Sequence, residues 1–418
     1  MTSSSVSPSH IAAVSSSLEA NKSDLNNVSQ AIWNKPETMF NEVFAHQLLT
    51  EFLEKQGFTV AKRYGVDPTA FRAEFQSANY QKGVHPTVGV MCEYDALPEI
   101  GHACGHNLIA TSAIATGLAV RDILRNLNLQ NDAERVDGRL SLLQVVVLGT
   151  PAEEGGGGKV NLINHGAFQD IDFAMMVHPF ANNDLEPVIL GIERVAVEFQ
   201  GKAAHASCGP WEGVNALDAA VALYHNVSLF RQQMQPNWRI HGIIMEGGTK
   251  PNIIPDHTKS NYYLRTITST DMAYLKERFL AMVNAAASAT GCTVNVMWEP
   301  NPYTGMLHNS AMSQVYKSFS EADGVIFPLH VPGFNGSTDM GNVSLTVPSI
   351  HPGYALGRHS MIHTRDFEAL AGTPEGLHFT LLAAKSMALT CTELFLNKNM
   401  QEQCKREFAE RIKGFTTN

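Results

Sequence analysis

One strand and the loop that follows it constrain this chain most. Val88–Cys92 is nearly continuous in apolar character, as a strand buried on both faces should be. Such a strand needs helices above and below it, so the chain must build a layered sheet. The strand runs into Glu93 and Asp95 and then into Gly101–Asn107, GHACGHN, which carries His102, Cys104 and His106. Imidazole and thiolate are ligands preferred by zinc and its neighbours. Flanking glycines suit a tight loop that folds side chains inward on an ion. Buried cysteine is common, so a Cys-x-His pair by itself fits a packed core equally well. Company further along favours the metal reading: Glu153-Glu154, His178 and His363 each stand in a comparable setting.

The elements around that strand alternate. From about Leu18 to Gly57 the apolar spacing predicts two helices, broken at Pro36 and closed by Gly57. Strands are expected at Phe58–Val60, Ala70–Phe75, Thr87–Cys92, Leu140–Leu148 and Asp172–Val177. Helices are expected over Leu108–Leu127 and from near Lys159, with Asn126–Gly138 a polar surface connection. Strand–helix alternation implies an α/β fold with a mostly parallel sheet flanked by helices. Three candidate ligand clusters then fall just past the C-terminal ends of strands, where ligand sites of open α/β sheets lie.

After Pro187 the texture changes. Strands at Arg194–Phe199, Ile240–Glu246, Thr258–Ile267 and Cys292–Trp298 interleave with helices at Val214–Met234 and Met272–Ala289. That βαββαβ order is the ferredoxin-like pattern of a compact α+β domain. The expected division is residues 18–190 and 304–418 as one domain, 191–303 as an insert, and 1–17 as a low-complexity, Ser-rich segment. A short strand at Val347–His351 should return the chain to the first domain.

Composition excludes some functions. A formal net charge of −10 argues against a nucleic-acid surface. No run approaches the roughly 18 apolar residues of a membrane span. The start, MTSSSVSPSHIAAVSSS, lacks the basic and apolar regions of a secretory signal. The 6 cysteines are scattered in 418 residues, a size that needs no disulfide staples, so a reducing, cytoplasmic setting is expected.

Each candidate residue has a plain reading beside a chemical one. Adjacent Glu153 and Glu154 repel, so something positive should hold one of them: Glu154 as a metal ligand, Glu153 facing a water whose proton it takes and later hands to a leaving amine. They equally suit a solvated acidic loop. Asp95 could orient a metal-bound histidine or cap a turn. His178 is a ligand or a strand-terminating histidine, and chemistry alone does not choose among His351, His359 and His363. His205, in GKAAHAS, could stabilise charge on a substrate carbonyl or be a turn histidine. Asn252 in a glycine-flanked turn could face a ligand, and Arg265 could pair with a substrate or a structural carboxylate. Ser337 and Thr338, in GSTD, could offer hydroxyls to a substrate or cap a helix.

Taken together, CEYDALP, GHACGHN, PAEEG, the His-Pro at His178, GKAAHA and the late Ile362-His363 resemble the di-zinc peptidases that include aminoacylases, carboxypeptidase G and the plant indole-acetyl-amino-acid hydrolases. The resemblance spans about Leu25 to Leu394 and is nearest to the β-alanyl-lysine (Xaa-Arg) dipeptidase branch. It implies a zinc-peptidase-like α/β domain with an inserted lid that forms a homodimer. It implies two divalent ions, zinc foremost with manganese or cobalt as alternatives, held by Cys104, His106, Glu154, His178 and His363. By the same likeness Glu153 is the general base, Asp95 the orienting carboxylate, and His205, Asn252 and Arg265 contact the substrate, His205 from the partner subunit. The implied reaction is hydrolysis of an amide in dipeptides or N-acyl amino acids with a free carboxylate. Two rivals are a tailoring amidohydrolase, or amide-forming enzyme, acting on a natural product, and a metal-free binding protein on the same fold. Asn107 stands where many relatives carry Asp, and Glu93 where better-known relatives carry His or Asp.

Overall fold

The structure, a computed structural model, describes residues 4–78, 80–129, 143–329 and 336–416. Most of the expected connection Asn126–Gly138 and the first residues of the expected strand Leu140–Leu148 lie outside the described residues. The chain forms two compact units. One comprises the described parts of Met1–Val188, Leu307–Asn335 and Asn342–Lys413; the other comprises Ile189–Met306, Gly336–Gly341 and the described part of Gly414–Asn418.

The first unit is built on a six-stranded sheet. Its order is Thr59–Lys62, Phe71–Gln76, Gln144–Gly149, Thr87–Cys92, Phe173–Met175, Ser349–Ile350. The last four strands run parallel, and the first two form an antiparallel edge. Thr87–Cys92 and Gln144–Gly149 are buried at every position, which explains their unbroken apolar runs. Helix His106–Leu129 packs on these two strands and against helices Pro8–Asn34 and Pro374–Leu396. Two described helices are apolar and long enough to cross a bilayer, but the relevant windows are 94% and 78% buried inside the protein. They are core helices.

Two elements differ from expectation. The first helix begins at Pro8, ten residues earlier than the expected Leu18. Ser7 caps it, its hydroxyl accepting from the His10 amide while the His10 ring accepts from the Ser7 amide, and Pro8 fits the first turn. Val14, Leu18 and Leu25 put the apolar stripe into the core; the serines between them concealed that period. The second difference is at Asp172–Val177, where the strand stops at Met175. His178 opens a separate strand, His178–Phe180, paired in parallel with Gly353–Ala355.

The second unit is a four-stranded antiparallel sheet in the order Thr293–Trp298, Gly191–Gln200, His257–Thr266, Arg239–Glu246. Helices Ala216–Phe230 and Ser269–Thr290 pack on it through Leu223, Phe199, Tyr262 and Phe279. This is the ferredoxin-like arrangement. Asn215 and Thr268 cap the two helices by accepting from the Leu217 and Asp271 amides.

Candidate metal centre

Three loops at the C-terminal ends of the parallel strands and one late segment assemble the site, all within the first unit. After Cys92 the chain passes Glu93 and Asp95 and turns through Gly101 and Gly105, at φ 58° and 81°. A side chain on Gly105 would approach within 2.6 Å of Pro179 Cγ. Glycine is therefore required there both by conformation and by space. The turn delivers Cys104 just ahead of helix His106–Leu129 and His106 as its first residue.

Asp95 organises this end of the site. It is fully buried, and its Oδ1 accepts from His106 Nδ1 at 2.9 Å. Its Oδ2 accepts from the Glu154 amide at 3.0 Å, so one carboxylate ties two loops together. Burial opposes its charge, but His106 beside it more than compensates and keeps Asp95 below the usual carboxylate range. With Nδ1 engaged, His106 presents Nε2. That atom is buried without a hydrogen-bond partner, 3.6 Å from Glu93 Oε2 and 3.9 Å from both Glu153 Oε2 and Glu154 Oε1. Glu154 Oε1 is likewise buried and unpartnered, with His363 Nε2 at 3.5 Å.

His178 donates Nδ1–H to its neighbour's carbonyl at Pro179, 2.8 Å away, and aims Nε2 at Cys104 Sγ, 3.5 Å away. Burial first, then His106, lowers its pKa to about 3, so it is a neutral imidazole whose Nε2 lone pair faces the Cys104 sulfur. His363, at φ 62°, is held by its amide donating to the Ala103 carbonyl. Strain of this kind persists only where surrounding contacts enforce it.

Three trios of potential donors have their atoms within 4.8 Å of one another: Cys104, His106 and His178; Cys104, Glu154 and His363; His106, Glu153 and Glu154. Burial, and then Glu154, pushes the Cys104 thiol well up; Cys104 and Asp95 overcome burial to push His106 up too. Both shifts mark a pocket crowded with negative charge. A divalent cation reverses that logic, favouring thiolate and neutral imidazole. The orphaned, converging atoms of His106 and Glu154 and the soft-plus-borderline donor set therefore fit metal ions.

Other residues near the motif do different work. His102 donates Nε2–H to the Ile32 carbonyl. Asn107 is fully buried and pins its helix by donating to Ser29 Oγ and the Ala371 carbonyl. His351 is buried beside His178, ring centroids 5.7 Å apart, and belongs to none of the trios. Lys159, which sequence reasoning missed, is wholly buried with Nζ 2.5 Å from Glu93 Oε1. It sits in the first turn of helix Gly158–His165, where the helix dipole disfavours a cation. That misplacement was the available signal of a hidden acidic partner.

The remaining candidates lie in the second unit. His205 is exposed, and its Nδ1 accepts from the Ser207 and Cys208 amides. Its proton therefore resides on Nε2. The exposed Asn252 is joined to this loop by its carbonyl, which accepts from the Ala206 amide. Arg265 donates Nη1–H to Ser337 Oγ at 2.8 Å, and Ser337 thus belongs with this unit. Thr338 is buried, and its hydroxyl accepts from the Met340 amide, which is the capping alternative.

The peptidase dimerisation domain of the M20 family matches residues 190–291. Over 398 residues the chain is 40% identical to an Xaa-Arg dipeptidase of Homo sapiens, covering 92% of this chain and 88% of that one. The chain belongs to the M20 family of metallopeptidases. Within that family it falls in the Xaa-Arg dipeptidase branch, and this M20 enzyme is a metal-dependent amide hydrolase of the dipeptidase or aminoacylase type. It is also 26% identical to a p-aminobenzoyl-glutamate hydrolase chain of Escherichia coli, covering 94% of each sequence. Its fold is shared by a dinuclear metal-binding M20 peptidase of Bacillus subtilis, with TM-score 0.64, 18% identity and coverage of 88% and 98% of the two chains. A tripeptidase of Staphylococcus aureus also shares it, with TM-score 0.64, 17% identity and coverage of 90% and 98%.

Proposed function

We propose that this M20 enzyme hydrolyses dipeptides or N-acyl amino acids that bear a free carboxylate, with a basic C-terminal residue as the preferred substrate. The observation that carries the reading is His106 Nε2, buried without a partner among acidic donors while Asp95 occupies its other nitrogen. The Homo sapiens relative, an Xaa-Arg dipeptidase, motivates the basic residue.

Cys104, His106, Glu154, His178 and His363 would hold two divalent ions, zinc first; the overlap of the donor trios favours two over one. When bound, the ions supply Lewis acidity that activates water and polarises the amide carbonyl. Glu153 takes the proton of the attacking water and delivers it to the departing amine nitrogen. His205 donates Nε2–H to the carbonyl oxygen as negative charge develops there. Asn252, Arg265 and Ser337 bind the polar end of the substrate, and Thr338 fixes the turn that presents Ser337.

We assign the first unit, expected as 18–190 and 304–418 but including the helix from Pro8 and lacking Gly336–Gly341, to the catalytic domain, and the second unit, expected as 191–303, to a lid that forms a homodimer. Its edge strand Arg239–Glu246 exposes Ile243 and Met245, and helix Ala216–Phe230 exposes Val221, Tyr224 and Leu229. An uncovered apolar edge of this kind asks for a second surface. Six unpaired cysteines support a cytoplasmic location.

The test is elemental analysis of chelator-free protein together with a dipeptide panel read by mass spectrometry. Two metals per chain and cleavage of Xaa-Lys or Xaa-Arg support the proposal. Two metals without dipeptide turnover favour a tailoring amide hydrolase, and failure to take up metal sinks the site. Glu153→Gln should keep its metal and lose about 100-fold or more in turnover.

A further inference from the structure

Glu42 is remote in sequence from every residue assigned so far, yet it is fully buried. Its Oε1 accepts two backbone amides at once, from Phe40 at 2.9 Å and from Ala152 at 3.0 Å. Its Oε2 accepts from Thr69 Oγ1 at 2.8 Å. Phe40 and Ala152 share a peculiarity: both are non-glycine residues at φ 60°. A left-handed backbone costs an L-residue roughly 1–2 kcal/mol, and one carboxylate oxygen holds both of these residues there.

The second of them matters to the site. Ala152 immediately precedes Glu153 and Glu154. Its own carbonyl accepts from the Gly156 and Gly157 amides, so the peptide groups on both sides of its strained torsion are tied. The Phe40 ring closes the same turn. A Cβ on Gly156 would lie 2.3 Å from Phe40 Cε2 and 2.7 Å from Ala152 Cβ. Beyond the turn, the Glu154 amide is caught by Asp95. The acidic dipeptide is thus clamped from two directions, by Glu42 before it and Asp95 after it.

We infer that Glu42 is a positioning residue: it locks the left-handed turn at Ala152 and thereby sets where Glu153 and Glu154 point. Without it, Ala152 relaxes toward negative φ, the peptide ahead of Glu153 rotates, and both carboxylates leave their places. This rests on the site reading above, in which Glu153 moves the proton and Glu154 holds an ion. Burial, and then the charge of Asp95, raises Glu42 to about 7. A neutral glutamine is therefore its near mimic. Its amide oxygen can receive the Phe40 and Ala152 amides, while its NH2 donates to the Thr69 hydroxyl.

The experiment compares Glu42→Ala, Glu42→Gln and Glu153→Gln in the full-length chain. The readouts are metal content by elemental analysis, zinc affinity by chelator competition, melting temperature, and kcat and KM on the dipeptide that the wild-type protein cleaves best. Glu42→Ala should lose about 100-fold in kcat with KM little changed, since a displacement of ~1 Å at a reacting group has that effect. It should also bind zinc about 10-fold or more weakly, as when a ligand's support is removed. Glu42→Gln should recover both to within about 3-fold of wild type. If Glu42→Ala is fully loaded and as active per folded molecule as wild type, the inference fails. It also fails if Glu42→Gln is as impaired as the alanine variant while equally folded. Should Glu42→Ala not fold, Glu42→Gln and Glu42→Asp carry the test: the aspartate is too short to reach both amides and should be about 10-fold or more below the glutamine variant in kcat and zinc affinity, and equal values in the two would overturn the inference. Full activity in Glu153→Gln would instead overturn the underlying site reading, and the zinc affinities would still judge the clamp.

Discussion

The two units hold their candidate residues in opposite ways. In the first, Asp95, Cys104, His106, Glu153 and His178 are buried, and loops from separate strands are tied together by single side chains. In the second, His205 and Asn252 stand exposed on turns held by one another's backbone. Metal donors must be arranged before the ion arrives, because orienting them afterwards costs affinity. Groups that meet a diffusing substrate have to remain reachable. The division is not complete: His363, proposed as a donor in the first unit, is exposed, and Thr338 of the second unit is buried.

That contrast can be broken from either side. The largest effect is expected on the exposed side: His205→Ala should cut kcat by about 100-fold or more while metal content and melting temperature stay at wild-type values. A loss of bound metal in that variant would show that the exposed side is not separable. On the buried side, Asp95→Asn offers His106 Nδ1 an amide that can turn its NH2 inward. Metal affinity should fall about 10- to 100-fold, measured by chelator competition. Unchanged affinity would mean that packing alone orients the ring. The smallest effect should come from Gly105→Ala, which forces a Cβ against Pro179 at a positive φ. A loss of about 2 kcal/mol in urea unfolding is expected, and kcat of the folded fraction should fall by about 10-fold because the proposed ligands Cys104 and His106 flank the residue. Unchanged stability and unchanged kcat would show that the loop absorbs the added Cβ.

The parts that were legible in the sequence share a physical cause. Val88–Cys92 and the run up to Leu148 had to be apolar throughout because both faces of the sheet are covered. Their ends could therefore be located, and Glu93, Asp95 and Glu153-Glu154 fell beyond them. The βαββαβ order of the second unit was readable from period and turns alone. What stayed hidden depends on contacts distant in sequence. Glu42 meets Ala152 and Lys159 meets Glu93 only once the sheet is built, and neither acid nor lysine leaves a periodic trace. Pro8–Ser17 was concealed differently: exposed Ser9 and Ser16 and a buried Ser17 interrupt the apolar period of a helix whose buried positions are few and widely spaced. His178 proved to open a new strand because Gly353–Ala355, far along the chain, supplies its partner.

The late position of His363 in the chain, far from the Ala103 carbonyl that its amide meets, also sets an order of events at the ribosome. The loops bearing Cys104, His106, Glu154 and His178 emerge first, then the entire inserted sheet, and only afterwards the segment with His363. A nascent chain consequently displays four of its five proposed donors for the whole time the insert is being translated. The fifth proposed donor can join the other four, and the His363–Ala103 contact can form, only after the insert has been made.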